Sequence, residues 1–197
     1  MNPKLQNLIQ CQRNWDSNQT IDDDDLALIL EYAAEPPQQQ GNKYFNILVL
    51  HNSAAKQRLY RILTPNDVPV ENRNLQPQVL ANTTLVWTLP QHQQCDDGDF
   101  SNGLNEQFHV GFHSGIVAEL ANNMGYATSF TRCGPYTDEA WISWLKTHNL
   151  SVEDHYSFGF ALGIGYANTD LQHNIDHVTG HAHEHYTRHT PTVTVIK

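Results

Sequence analysis

Apolar residues recur along this chain at helical and strand spacings in turn, and the switches between them lay out its elements. Asn2-Pro3 would start a short helix with Leu5, Leu8 and Ile9 on one face. A second helix begins near Asp22, where four aspartates favour the positive end of the helix dipole. Its buried stripe is Leu26, Ile29, Leu30 and Ala33, and Pro36-Pro37 stops it. The near-continuous apolar run Tyr44 to Leu50 predicts a strand buried on both faces. Ser53 then caps a helix through Leu63, with Leu59, Ile62 and Leu63 inward. Pro65 to Pro77 reads as a polar loop, and Thr83 to Leu89 as a second strand. Gln91 to Asn105 is polar and acidic, a surface loop. The longest helix runs from about Glu106 to Met124. Phe108, Phe112, Ile116, Leu120 and Met124 recur every four residues and predict its buried stripe, widened by Val117 and Ala121. Gly111, Ser114, Gly115 and Ala118 would let another backbone come close, and Gly125 ends the helix. Next come a strand over Tyr126 to Thr131 and a helix over Asp138 to Lys146. A Gly-interrupted strand over Tyr156 to Tyr166 and an alternating strand over Thr192 to Ile196 complete the chain. Helices and strands mix without a strict βαβ repeat. The pattern predicts an α+β fold with a mainly antiparallel central sheet flanked by helices, in a single domain over residues 1–197.

Charge and composition narrow the partners. The formal charge is −10, concentrated at Asp22 to Asp25 and at Asp96, Asp97 and Asp99. Such a surface repels polyphosphates, which argues against nucleic acid as a partner. No apolar run approaches the ~20 residues that span a bilayer, and the first residues lack the pattern of a secretory signal. Cys11, Cys95 and Cys133 are few, odd in number and far apart. They outline neither a disulfide framework nor a Cys-based zinc site, and a cytoplasmic setting is expected.

Five short segments follow one another in a suggestive order. They are Cys11-Gln12-Arg13-Asn14-Trp15, Pro36 to Tyr44 leading into a strand, the helix end Asn123-Met124-Gly125-Tyr126, Ala161-Leu162-Gly163-Ile164-Gly165, and Arg188 before the last strand. In order and spacing they resemble the nitroreductase family, whose members carry an Arg-rich "RRSxRxF" segment, "aPSxxNxQpw", a long helix ending "alGl" and a late "lGiG" strand. Each segment alone has an ordinary structural explanation; the ordered set covers nearly the whole chain.

The resemblance implies a nitroreductase-like fold, an intertwined homodimer with exchange of the C-terminal strand, and FMN at the subunit interface. It also implies hydride transfer from NAD(P)H through the flavin to a nitroaromatic, a quinone or a similar small acceptor. No side-chain nucleophile, acid or base is required, because the flavin carries the chemistry. Arg13 and Arg188 match basic positions that contact the phosphate in relatives, with Cys11 and Gln12 in the same first motif. Gln38, Gln40 and Asn42 fall in the second motif, and Asn74 where relatives place a flavin-ring Asn. Phe130 to Gly134, with Thr131 and Arg132, corresponds to backbone passing the reactive edge of the ring. Departures stand beside these matches. Ile9 replaces the first phosphate Arg, Cys11 the usual Ser, Pro37-Gln38 the Ser pair, and Arg132 a frequent Glu. Each missing charge-assisted hydrogen bond removes about 1.5–3 kcal/mol.

Two alternatives stand beside the FMN oxidoreductase. One is a diverged flavin-binding or cofactor-less member without reductase activity. The other is a metal-binding protein built on the His-rich segment 173–189, where His181, His183 and His185 would share one face of a strand. The ordinary reading of that segment is a solvated loop, and no HExxH motif occurs.

Overall fold

The computed structural model describes residues 12–35, 45–64, 76–91, 104–132, 134–135 and 137–168, with backbone alone for 104–106. Among these, α1 (Asp23–Ala34), β1 (Asn46–Leu50) and α2 (Ser53–Leu63) come first. A 3-10 turn (Pro77–Leu80), β2 (Thr83–Leu89), α3 (Leu104–Asn123), β3 (Ala127–Thr131), α4 (Asp138–Thr147) and β4 (Ser157–Gly165) follow. The strands form one sheet in the order β1-β2-β4-β3, and every neighbouring pair is antiparallel. The expected α+β class and antiparallel sheet are therefore found. The expected helix over residues 2–9, residues 65–75 of the expected loop Pro65 to Pro77, residues 92–103 of the expected loop Gln91 to Asn105, and the terminal strand lie outside the described residues, while Pro77 opens the 3-10 turn and Leu104 and Asn105 open α3.

Helices cover both faces of this sheet. On one face, Ile29 and Ala33 of α1 and Val110, Val117, Ala118 and Ala121 of α3 pack on Leu85, Trp87, Leu162 and Ile164. On the other, Leu59 and Leu63 of α2 and Trp141, Trp144 and Leu145 of α4 pack on Leu48, Leu50, Val86 and Ala161. A bulge between Trp87 and Thr88 in the pairing with β4 shifts the alternation. Phe160 consequently joins the first core and Phe158 the second.

Three expectations change in detail. Asn52, not Ser53, caps α2: its Oδ1 accepts from Ala54 N at 2.8 Å and Ala55 N at 3.1 Å. β1 lies at a sheet edge, and Val49 is 38% exposed, so its apolar run is not buried on both faces. The largest change is on α3, where Phe108 is 68% and Phe112 52% exposed. A four-residue step overshoots a helical turn by about 40°, so such a series winds off any one face. The buried stripe instead follows the i, i+3, i+4, i+7, i+8, i+11 spacing of one helix face: Val110, His113, Ser114, Val117, Ala118 and Ala121.

Candidate functional site

Residues 12–21 form a strap across the end of the sheet. Gln12 N donates to Thr128 O at 3.2 Å, along the edge of β3 that pairs with no other strand among the described residues. Asp16 N donates to Tyr166 O at 2.9 Å, and Asn168 N to Asn14 O at 3.0 Å. The Trp15 indole N–H reaches Pro77 O at 3.0 Å. Asn82 locks the strap from beneath: its Nδ2 donates to Asp16 O at 2.9 Å and Gln19 O at 2.5 Å, and its Oδ1 accepts from Tyr166 N at 2.9 Å.

This packing explains the two late glycines. A Cβ on Gly163 would run into Gln78 O, and would sit 2.8 Å from Ala81 Cβ and 3.1 Å from the Trp15 ring. A Cβ on Gly165 would overlap the Asn82 side chain. The Gly-Ile-Gly spacing thus marks where β4 admits the strap and the residues before β2 at backbone distance.

Arg13 sits in the strap with its backbone held from the side. The buried Gln12 Oε1 accepts from Arg13 N at 2.9 Å and Asn14 N at 3.2 Å. The Arg13 Nε and Nη1 atoms are buried and have no hydrogen-bond partner among the described residues. Leaving charged donors dry and unpaired is costly, more than the 1–3 kcal/mol typical of a neutral group. Arg13 also lines a cavity of about 900 Å³ together with Asn14, Asn82, His51 and Lys56. Lys56 is itself buried, and its Nζ donates to Ala81 O at 2.5 Å and Asn82 O at 2.8 Å. Burial pulls the Lys56 amine below its ordinary pKa. Burial, and then the Lys56 charge, do the same to His51. Among the described residues lining this cavity, Asp23 is the one carboxylate.

Of the residues expected at a flavin site, the strap brings Gln12 and Arg13 together beside β3. The Thr131 side chain turns into the protein, where its hydroxyl donates to Gln76 Oε1 at 2.6 Å. Its backbone, at the end of β3, is the part that matches the expectation. Arg132 follows it and is exposed. Cys11, Gln38, Gln40, Asn42, Asn74, Arg188, His181, His183 and His185 lie outside the described residues. Among the described residues, no group of three or more His, Cys, Asp or Glu could hold a metal ion. No described helix is long and apolar enough to cross a membrane.

Sequence reasoning missed Lys56, His51 and Asn82. A signal for Lys56 was present: it shares the face of Leu59 and Leu63, three and seven residues on, where a lysine is out of place. Asn82 had no comparable signal among many asparagines.

No protein-family profile and no curated protein matches this sequence. Solved structures do match. A nitroreductase with bound FMN from Bacteroides fragilis is 16% identical over 100% of both chains, with a TM-score of 0.65. Nitroreductase A from Vibrio parahaemolyticus is 15% identical over 96% of this chain and 79% of its own, with a TM-score of 0.62. A nitroreductase family protein from Clostridium novyi is 16% identical over 87% of this chain and 89% of its own, with a TM-score of 0.60. The architecture is therefore the nitroreductase fold.

Proposed function

We propose that this chain is an FMN-dependent oxidoreductase that works as a homodimer. The observation that carries the reading is Arg13. In a fold whose Bacteroides fragilis member holds FMN, the Arg13 guanidinium lines a cavity with two buried nitrogens that have no partner among the described residues. An anionic group such as the flavin phosphate would satisfy it with charge-assisted hydrogen bonds. Gln12 sets the strap that presents it, and Arg188 supplies the second cation. Lys56, in the same cavity as Arg13, adds positive potential that would offset the basic residue missing from the first motif. Gln38, Gln40, Asn42 and Asn74 provide amides for the ring edge, and the backbone at Thr131 and Arg132 passes its reactive side. Bound FMN would supply the redox chemistry: acceptance of hydride from NAD(P)H and electron transfer to a nitroaromatic, quinone or similar acceptor. The chain's own task is to bind, orient and exclude water.

The exposed face of α3 supports the homodimer. Phe108 and Phe112 stack with centroids 6.2 Å apart and planes 3° apart, while 68% and 52% exposed. A Cβ added at Gly111 or Gly115 would meet nothing within 4 Å. Aromatic area beside bare backbone suits a second copy of the same helix. The Thr192 to Ile196 strand would cross to the partner's sheet.

Purified protein should absorb near about 450 nm, and NAD(P)H should bleach that band. Arg13→Ala with Arg188→Ala should release FMN while leaving the circular dichroism spectrum unchanged. An unchanged flavin affinity in that double variant would remove the phosphate assignment. A colourless protein that takes up no added FMN would instead favour a cofactor-less member.

A further inference from the structure

Lys56 is 8% exposed and stands on the inner face of α2 with Leu59 and Leu63. A buried amine is tolerated only where its donors are taken. Those of Lys56 reach out of α2 to the short stretch between the 3-10 turn and β2. Its Nζ donates to Ala81 O at 2.5 Å and to Asn82 O at 2.8 Å. Ala81 is fully buried, and the pairing of β2 with β4 begins only at Thr83. Removing the amine would therefore take a donor from a buried carbonyl outside the ladder, which is costly.

The backbone that this amine holds is that of Asn82, whose side chain is fully used. Nδ2 donates to Asp16 O and Gln19 O, and Oδ1 accepts from Tyr166 N. With two side-chain torsions, the amide meets all three only from a narrow range of backbone positions. The fit has no slack on one side, since a Cβ at residue 165 would collide with the Asn82 side chain. The strap carbonyls that Asn82 grips lie three and six residues beyond Arg13. A further anchor of the strap, the Trp15 indole, donates to Pro77 O, and Pro77 opens the same 3-10 turn that runs into Ala81. Arg13, Lys56 and Asn82 line one cavity. Three bonded steps thus lead from α2 to the strap: the Lys56 amine, the 81–82 backbone and the Asn82 amide.

We propose that Lys56 is a positioning residue for Arg13: by fixing the Ala81–Asn82 backbone it fixes the amide that grips the strap, and so sets where the Arg13 guanidinium stands in the cavity. This role is separate from the charge that Lys56 brings there. The inference rests on the flavin reading for its consequence, but not for its geometry.

Position and charge are separated by a double-mutant cycle on Lys56→Met and Asn82→Ala. Two quantities are read for each protein. One is FMN affinity by fluorescence quenching. The other, in the flavin-free protein, is the rate of tryptic cleavage after Arg13 relative to cleavage after Lys146 in α4. That ratio isolates release of the strap, because general unfolding exposes both bonds together. Each single variant should weaken FMN about tenfold and raise the ratio by a similar factor, while the double variant is little worse than either. Lys56→Ala gives a second arm if Lys56→Met does not fold. Lys56 lines the cavity, so added ethylammonium should occupy the vacated space, bond the same carbonyls and restore both quantities. A lysine that acted by charge alone would leave the ratio unchanged, and its effect on affinity would add to that of Asn82→Ala. That result overturns the proposal. A parent protein that binds no FMN would defeat the flavin reading alone. The cleavage ratio across the same cycle would then still decide whether Lys56 positions the strap.

Discussion

The two faces of the sheet are finished to different degrees. Beneath α2 and α4, Leu59 and Leu145 are fully buried, and Trp141 and Trp144 stack with centroids 5.2 Å apart and planes 7° apart. Beneath α1 and α3 the inner layer is equally dry, but the outer surface is not. Leu28, Tyr32, Phe108 and Phe112 on those two helices are exposed, against only Val49 and Tyr156 elsewhere among the described residues. The α1/α3 face also holds the buried polar link from Trp87 through His113 to Tyr32. One face is a core that a single chain completes. The other combines specific internal bonding with an exposed apolar surface.

The sharpest way to probe this contrast is to cut each face. Leu145→Ala should cost about 2–5 kcal/mol at any protein concentration, because a fully buried leucine leaves a cavity behind. A loss below that range, read from urea unfolding, would mean that the α4 face is less closed than described. Gly163→Ala, on the same side, should cost about 1–3 kcal/mol through overpacking, since Gln78 O and the Ala81 methyl occupy the space.

Protonation offers a smaller test. His51, His113 and His148 all sit below the ordinary value of 6.5, chiefly through burial. Each binds its proton more readily in the unfolded chain. Their stabilising share is complete above about pH 6.5 and is lost as the pH falls from there through the lower folded-state values. The urea midpoint should therefore be flat near about pH 7.5 and decline toward about pH 5. His113→Gln should remove part of that slope through the α1/α3 face, and His148→Gln part through the α4 face. A slope that neither variant alters would assign the decline to other groups.

The smallest effect on the fold itself should come from Phe108→Ser with Phe112→Ser. Monomer stability should move by no more than about 0.5 kcal/mol, because neither ring is buried. Sedimentation should nevertheless show loss of the proposed dimer, and with it any dependence of the melting temperature on concentration. A dimer that survives both changes would place the interface elsewhere.

Most of the fold was legible in the chain because its signals are local. Thr83 to Leu89 is a strand by composition alone and forms β2 with those bounds. Gly125 ends α3 with a φ of 98°, as its position predicted. The stripe of α3 misled because five large residues at four-residue spacing outweigh, by eye, a stripe partly built from His113, Ser114 and alanines. Which face is inner depends on contacts with α1 and β2 that no helical period contains. The described cavity was legible only in part. Arg13 carried a motif, whereas Asn82 and His113 act through partners 63 to 84 and 26 to 81 residues away. Nothing near them in the sequence announces those partners.

Asn82 has a consequence for how the molecule ages. Its amide offers hydrogens to two strap carbonyls and an oxygen to the start of the stretch after β4. Deamidation, equivalent to Asn82→Asp, would leave a carboxylate facing the carbonyls of Asp16 and Gln19, with no hydrogen to give them. A single spontaneous hydrolysis would thereby release both strap carbonyls, while the carboxylate could still accept from Tyr166 N. Protein carrying that change should lose the strap before its cores loosen.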